Sequence, residues 1–414
     1  LRKATFTLVY FDTKRELSVE AIGGYELLFF VGYAVSFFWR SGLIQGLLTT
    51  FPRLEATEQR ALVFNAFLVF SGISLGIFIL LHLLRELALL VLTGQPDLDY
   101  FNWFLLYLVL NLPAHLLENF YLLYRRPDRI IWFGLFSFAL QLAAVLIPVF
   151  AGWGLRYSFV GLGIAGLLKF LWLVAFVVRH GRPTLRLAMV RDWLLLSLPL
   201  MLYALTAGFN QTFDNWLVNF YYQGDEEKFA IFRYGARELP LVMALASAMG
   251  TALLPEVAAD LRAGLTSIRE KSRKLFHLLF PVSILMVLTS HWWFPLVFNE
   301  AFRDSILIFN IFLLIIISRL IFSRTVLVGL NANRVILGIS LLELGANVAF
   351  SFALVPLWGL AGIAAGTVLA HFLEKVLICL YLYWRFRVPV GAYTDLRWYF
   401  AYSAGLLVCF YISL

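Results

Sequence analysis

Long apolar segments separated by short polar connections run through the whole chain. An α-helix needs about 20 apolar residues to cross a bilayer. Segments of this kind lie at 25–49, 61–83, 100–123, 129–150, 157–178, 193–220, 229–253, 275–297, 305–327, 335–357, 360–383 and 398–414. Their apolar runs are continuous, unlike the alternating strands of an outer-membrane barrel. The pattern predicts an all-α, polytopic membrane protein.

Two parts of the chain carry the same pair of segments. Residues 128–170 begin with DRII, contain a mid-helix Gln and a late Pro, and continue into GLGIAG. Residues 333–375 begin with NRVI, contain a mid-helix Asn and a late Pro, and continue into GLAGIAAG. The shared order favours an internal duplication over a chance match of small residues. Duplicated helical bundles are typical of transporters whose two lobes enclose a central path.

We therefore expect two pseudo-symmetric six-helix lobes and an additional C-terminal helix. The predicted boundaries are 1–190 for the first lobe, 191–384 for the second and 385–414 for the additional helix. Residues 1–23 contain no complete span, so the first helix of the N-terminal lobe is expected to be missing or partial. The last apolar run ends with the chain, so the final helix is expected to be truncated.

Composition and charge support a membrane location. The chain is 62% hydrophobic and 14% charged, with a mean hydropathy of +0.84, whereas soluble chains are roughly 25% charged. Its net charge of +8 could indicate nucleic acid in a soluble protein, but here alternate connections hold 18 basic residues and the intervening connections 3. The basic side should be cytoplasmic. We expect a bacterial or archaeal cytoplasmic membrane and no nucleic-acid partner.

No pattern for catalysis, cofactor binding or metal binding is found. Cys379 and Cys409 lie in apolar spans without metal-ligand spacing, and there is no P-loop, HExxH or Ser/His/Asp pattern. His371, Glu374 and Lys375 form a polar cluster, but Glu374 and Lys375 are adjacent and point apart, which disfavours a triad. The sequence predicts a transporter rather than an enzyme, without a cofactor or metal, driven by a proton or sodium gradient if it is coupled to an ion.

The stretch 193–258 gives the most specific pattern. One helix starts near Leu198-Pro199 and ends with Asn210, Gln211 and Asp214, and the next runs from Tyr234, Ala236 and Leu239-Pro240 to Leu254-Pro255. This pattern resembles the seventh and eighth helices of lipid-linked oligosaccharide flippases of the MOP superfamily, relatives of the multidrug MATE antiporters. The resemblance implies that only five of six expected helices precede residue 193.

Charged residues inside the spans are candidates for function, because a charge at the bilayer centre costs about 3 kcal/mol or more. The predicted substrate-binding cations are Arg40, Lys169, Arg233, Arg237 and Arg319. At 1.5 Å per residue, Lys169 and Arg319 lie roughly 18 and 20 Å into their segments. Arginine and lysine donors suit a diphosphate. For Arg40, Lys169 and Arg319 the alternative is structural pairing with Glu118, Glu343 or another acid.

Three acids could carry a coupled proton or sodium ion. They are Glu118, Asp214 and Glu343. A structural counter-ion role is equally compatible with each position, and Arg237 could pair with Asp214 at the end of the preceding helix.

The sequence favours a flippase that moves a polyprenyl-diphosphate-linked oligosaccharide from the cytoplasmic to the outer leaflet by alternating access. Expected partners are the lipid-linked glycan, membrane lipid and glycan polymerase or ligase machinery. A MATE-type ion-coupled drug or cation exporter is the nearest alternative, although the intramembrane cations favour an anionic substrate. A membrane glycosyltransferase would need a larger soluble loop with catalytic carboxylates. A non-transporting scaffold leaves the repeated lobes and buried charges without a role.

Overall fold

The computed structural model describes residues 18–330 and 332–414. Side chains outside this description are Arg53, Tyr203, Thr206, Ala207, Asn210, Gln211, Thr251, Pro255, Ala258, Asn333 and Arg334. The expected partial first helix at 1–11 also lies outside the described residues. All twelve predicted apolar segments are helical. The prediction of an all-α, polytopic membrane protein is confirmed.

The chain forms two compact units. Unit 1 comprises Leu1–Thr212 and Asn219–Glu227, and unit 2 comprises Phe213–Val218 and Lys228–Leu414. The predicted lobe boundaries at 190 and 384 stay predictions.

Unit 1 is built from eight helices and most of a ninth within the described residues. They are α1 (Val19–Ala34), α2 (Phe37–Thr50), α3 (Ala56–Leu83), α4 (Arg85–Thr93), α5 (Phe101–Ala114), α6 (Leu116–Leu123), α7 (Pro127–Phe150), α8 (Leu155–His180) and α9 (Leu187–Tyr221). Aromatic residues fill the contact between α1, α5 and α8. The rings of Phe104 and Phe159 meet edge to face at 6.4 Å, and Phe29 meets Phe104 at 5.3 Å. These packed rings fix the helix that carries Lys169.

Unit 2 contains the remaining helices of the described chain. They are α10 (Glu226–Gly235), α11 (Pro240–Ala259), α12 (Leu261–Phe298), α13 (Ser305–Leu313), α14 (Ile315–Arg319), α15 (Ser323–Gly329), α16 (Asn333–Trp358), α17 (Leu360–Phe386), α18 (Val390–Tyr393) and α19 (Leu396–Ile412). The first two residues of α10 belong to unit 1. The α16–α17 hairpin and the end of α9 carry the buried polar network that surrounds Asp214.

The duplicated sequence forms a helical hairpin in each unit. In unit 1 it is α7–α8, and in unit 2 it is α16–α17. Pro148 and Pro356 both lie in the last turn of the first helix of their hairpins. Glycines of the second helix then let the two backbones approach: a Cβ on Gly161 would lie 2.7 Å from the Ala144 carbonyl oxygen. The repeat noted in the sequence therefore corresponds to a repeated supersecondary structure.

Three predicted spans are bent rather than straight. The pair α1 and α2 bends by 45°, α10 and α11 by 50°, and the α13–α14 segment and α15 by 42°. Six other helices in the described part of the chain are each long and apolar enough to cross a membrane. The sequence does not locate these breaks, because apolar composition reports burial in lipid and does not report the backbone angle. Only the break at Leu239-Pro240 has a local signal, since a residue before proline disfavours the helical conformation.

Candidate substrate and ion sites

Arg40 lies in the first turn of α2, just after a helix break. Two side chains cover carbonyls at this break: the Ser36 hydroxyl donates to Gly32 at 2.6 Å, and the Trp39 indole donates to Val35 at 3.0 Å. The Arg40 side chain is half-buried and forms no ion pair with any described residue. Its guanidinium donors are therefore available to an anionic group.

Lys169 lies in the middle of the unbroken helix α8 and is buried. Its ammonium donates to the amide oxygen of Asn111 on α5 and lies 5.8 Å from the ring centre of Tyr107. The Tyr107 hydroxyl accepts a hydrogen bond from Gln141 at 3.1 Å. Across the described residues, Lys169 forms no salt bridge, so an amide dipole and an aromatic face stabilise its charge.

Arg233 lies at the end of α10, and Arg237 lies in the connection between α10 and α11. Arg233 is in the last turn of α10, where the helix dipole favours a cation, and it donates to Asn215 at 3.3 Å. Arg237 donates to the Arg233 carbonyl at 3.3 Å, and its guanidinium lies 4.3 Å from the ring centre of Tyr234. The expected shared face at i, i+4 is interrupted, because the helix ends at Gly235.

Arg319 forms an ion pair at another break. It ends α14, and its Nη2 atom lies 2.5 and 2.6 Å from the two carboxylate oxygens of Glu238. Glu238 lies between α10 and α11. The acid that pairs with Arg319 is therefore neither Glu118 nor Glu343. This structural role competes with the predicted role in substrate binding.

Asp214 is the centre of a buried polar network between α9, α16 and α17. The Asn347 amide donates to Asp214 Oδ1 at 3.2 Å, and the Thr367 hydroxyl donates to Oδ2 at 2.7 Å. The Ser351 hydroxyl donates to Asn347 Oδ1 at 3.1 Å. Carboxylate, amide and hydroxyl oxygens of this kind are the ligands that hard cations prefer. The alternative pair between Arg237 and Asp214 is not formed.

The other two predicted ion-coupling acids differ in environment. Glu118 lies exposed in the first turn of α6. Glu343 is buried on α16, one turn before Asn347, and its carboxylate lies 2.6 Å from His371 Nδ1 on α17. Asp214 and Glu343 thus lie along one polar seam in unit 2, formed by residues 343, 347 and 351 of α16 and 367, 371 and 374 of α17.

A separate acidic pocket of about 800 Å³ lies in unit 1, at the start of α1 and in the connections before α5 and α10. Its acidic lining residues are Glu20, Asp97, Asp99, Asp225, Glu226 and Glu227. Its charge is opposite to that of the predicted substrate-binding residues. This pocket could attract cations to the side of the membrane that the charge distribution assigns to the exterior.

The sequence did not reveal the partners that surround the charged residues. Glu238, Asn111 and Tyr107 are such partners, and each comes from a different part of the fold than the cation it contacts. Asn347 and Gln141 are the mid-helix amides of the two copies of the repeat. Each forms a buried hydrogen bond in the structure. An amide side chain in an apolar helix was the one feature of the sequence that indicated a polar contact, because a buried amide requires a hydrogen-bond partner.

Bent spans with charged residues beside the breaks are typical of secondary transporters. The fold is that of the MOP superfamily transporters, as the structural comparisons show. The chain is similar to the lipid II flippase MurJ in an inward closed conformation, with a TM-score of 0.67 and 14% identity over 99% of this chain and 88% of that one.

Two further solved structures have the same fold. An inward-facing multidrug resistance MATE family transporter of the MOP superfamily gives a TM-score of 0.62 at 14% identity, covering 94% of this chain and 95% of that one. A MOP superfamily transporter from Pyrococcus furiosus, described by the reverse polarity of its binding pocket, gives 0.56 at 15% identity, covering 94% and 91%. No family model matches the sequence, and no curated protein matches it.

Proposed function

We propose that this chain is a flippase for a polyprenyl-diphosphate-linked oligosaccharide, which it moves from the cytoplasmic to the outer leaflet by alternating access. The observation that carries the proposal is the pair of cations in unit 1, Arg40 and Lys169, which lie in apolar spans and form no salt bridge with a described carboxylate. The exposed Glu118 carboxylate acts on both cations from beyond salt-bridge distance. A diphosphate would supply the missing negative charge. Similarity in fold to a lipid II flippase supports the same class of substrate.

Ion coupling is the second part of the proposal. Asp214, with Asn347, Thr367 and Ser351, offers the oxygen ligands of a small cation in a buried place. An ion or proton bound there would change the charge of the network and could favour one conformation over the other. We assign the coupling role to Asp214.

Transport in proteoliposomes tests both parts. The substrate is a fluorescent polyprenyl-diphosphate disaccharide, and its movement between leaflets is followed by the loss of fluorescence after an impermeant quencher is added. Arg40→Ala and Lys169→Ala should each slow flipping by about tenfold or more, because a charge-assisted hydrogen bond contributes about 1.5–3 kcal/mol. Arg385→Ala, at the exposed end of α17, is the control and should flip at the normal rate.

The same assay examines coupling. Asp214→Asn should flip at a rate that no longer responds to an imposed sodium or proton gradient. Wild-type rates in both folded alanine variants would reject the cationic binding role. A normal gradient response in Asp214→Asn would remove Asp214 from the coupling step.

A MATE-type exporter of cationic compounds is the second candidate, and the acidic pocket of unit 1 favours it. Such an exporter would accumulate a lipophilic dye cation in proteoliposomes under an ion gradient and would leave the lipid-linked disaccharide in its leaflet. The two substrates therefore distinguish the two functions in one preparation.

A further inference from the structure

Three metal-ligand side chains meet at one end of the polar seam in unit 2. Glu343 comes from α16, and His371 and Glu374 come from α17. One ligand atom from each lies within 4.8 Å of the others. His371 and Glu374 are three residues apart on a helix, so both project toward the facing helix. The sequence assigned no metal here, because Glu343 comes from a different helix.

Glu374 provides a second, independent observation. The residue is 5% exposed, and its Oε1 atom has no hydrogen-bond partner among the described residues. The nearest cations are Arg324 Nη1, 3.8 Å from Oε1, and Lys375 Nζ, 3.7 Å from Oε2. Both distances exceed hydrogen-bonding range. Glu374 therefore has two cations at ion-pair distance, but its buried Oε1 atom has no hydrogen-bond donor among the described residues, which is costly in a protein interior.

Close helix packing holds the three donors in place. A Cβ on Gly362 would lie 2.3 Å from the Leu354 carbonyl oxygen, and a Cβ on Gly366 would lie 2.5 Å from Ser351 Oγ. Glycine at both positions therefore brings the backbones of α16 and α17 together. Donors on two helices that cannot easily separate are organised before a ligand arrives.

We infer that Glu343, His371 and Glu374 form a binding site for a divalent first-row transition-metal ion such as Zn²⁺. Two carboxylate oxygens and one imidazole nitrogen are a usual donor set for such ions, and three protein ligands leave a position for water or another ligand. The ion would replace the hydrogen bond between His371 and Glu343. The half-exposed Arg324 side chain can turn away from Glu374 when the ion binds. The mostly buried Lys375 ammonium stays beside Oε2, which leaves Oε1 as the ligand atom. This metal site does not depend on which substrate the chain transports.

Metal binding to the full chain tests the inference. Protein purified in detergent is stripped with a chelator and dialysed against buffered Zn²⁺, and bound zinc is measured by elemental analysis. We expect one zinc per wild-type chain. His371→Ala and Glu374→Gln should each weaken binding by more than about tenfold, since even changes to outer-shell partners of a metal site cost 10–100-fold.

His277→Ala is the matched control, because it removes an exposed histidine that contacts Tyr402 on α19. It should bind zinc as the wild type does. Absence of stoichiometric zinc in the folded wild type, or equal binding by the folded His371→Ala and Glu374→Gln variants, would overturn the site.

A second measurement keeps the test decisive if the alanine variant fails to fold. Glu343→Gln keeps the size of the side chain and its ability to hydrogen-bond His371, and it should also bind zinc more weakly by about tenfold or more. Cu²⁺ bound to the wild type should show nitrogen hyperfine coupling in its electron paramagnetic resonance spectrum. A spectrum with oxygen ligands alone would overturn the role of His371.

Discussion

The charges of Arg40, Lys169 and Arg319 are stabilised in different ways. Lys169 has an amide oxygen and an aromatic ring, and Arg40 has no ion pair among the described residues. Arg319 instead has a carboxylate that contacts it with both oxygens. A cation that already has a close acid gains less from a phosphate than one without. We therefore expect Arg319 to contribute mainly to stability.

This expectation can be tested by a double-mutant cycle on Arg319 and Glu238. Arg319→Ala leaves a largely buried carboxylate without its partner, and we expect a loss of about 2 kcal/mol in the free energy of unfolding. Adding Glu238→Gln should recover part of that loss. The measurement is unfolding in detergent followed by tryptophan fluorescence. Additive effects of the two substitutions would show that the pair does not stabilise the fold.

Single residues were the hardest feature to predict from the sequence. Charges in apolar segments are easy to find, so the sequence identified Lys169 as a candidate substrate-binding residue and Asp214 as a candidate ion-coupling residue. The sequence could not show that Asn111 would accept a hydrogen bond from Lys169, because the two are on separate helices. The spacing of Arg233 and Arg237 was misleading, because the helix ends between them. Tertiary contacts and backbone breaks decide the environment of a charge, and neither is encoded in local spacing.

At the scale of elements, glycines bring the backbones of each duplicated hairpin close together. Gly362 of α17 lies against the backbone of α16, and the nearest atoms to its missing side chain are Leu354 O and C and Val355 N. Backbone atoms cannot move aside without separating the helices. Small residues that allow close approach are a common means of holding membrane helices together.

Gly362→Ala should therefore destabilise the protein by about 1–3 kcal/mol, which is the usual cost of overpacking a core. Gly345→Ala is the matched control on the facing helix, because a Cβ there would have no atom within 4 Å. The control should be neutral or stabilising by up to about 1 kcal/mol, since alanine is the better helix former. Thermal unfolding in detergent measures both. Equal midpoints for the two variants would show that the close approach contributes nothing.

The positions of the helices were predicted well, and their breaks were not. Each apolar segment became helix, because only a helix satisfies its own backbone hydrogen bonds in lipid. The α1–α2 break contains no proline, and its carbonyls are covered by Ser36 and Trp39. Serine and tryptophan are common in membrane helices, so neither indicated a bend. The glycine-rich start of the second helix in each hairpin was recognised only as part of the repeat, and the structure shows that it also allows close packing.

For the molecule as a whole, the distribution of basic residues predicts its orientation in the membrane. The N-terminal part of α12 is strongly basic, with Arg262, Arg269, Lys271, Arg273 and Lys274, whereas the connection before α5 is acidic. Cytoplasmic connections are enriched in lysine and arginine. The start of α12 should thus be cytoplasmic and the α4–α5 connection external.

Cysteine labelling on intact cells tests this orientation. In a variant without Cys379 and Cys409, Pro96→Cys should react with a membrane-impermeant maleimide, because the position is exposed and expected outside. Ala263→Cys, at an exposed position on the basic side, should react only after the cells are permeabilised. The opposite labelling pattern would invert the orientation, and with it the proposed direction of transport.

The fold class was predictable from the chain because hydropathy and the repeated helix pair are properties of whole segments and do not depend on single contacts. The resemblance in 193–258 led to the same fold that the structural comparisons show. The substrate is harder to predict, since a small number of polar contacts decides it. The acidic pocket of unit 1 illustrates this, because its residues come from the start of α1 and from two separate connections.

The bent spans have a mechanical consequence. A straight helix is stiff because each turn is tied to the next by hydrogen bonds, whereas an interrupted helix can flex at the interruption with little loss of bonding. We therefore expect the connections at 35–36, 236–239 and 320–322 to act as joints, and the closely packed hairpins to move as rigid units. Arg233, Arg237, Glu238 and Arg319 lie at or beside two of these joints. A ligand that changes the charge at a joint would change its preferred angle, and so turn binding into movement.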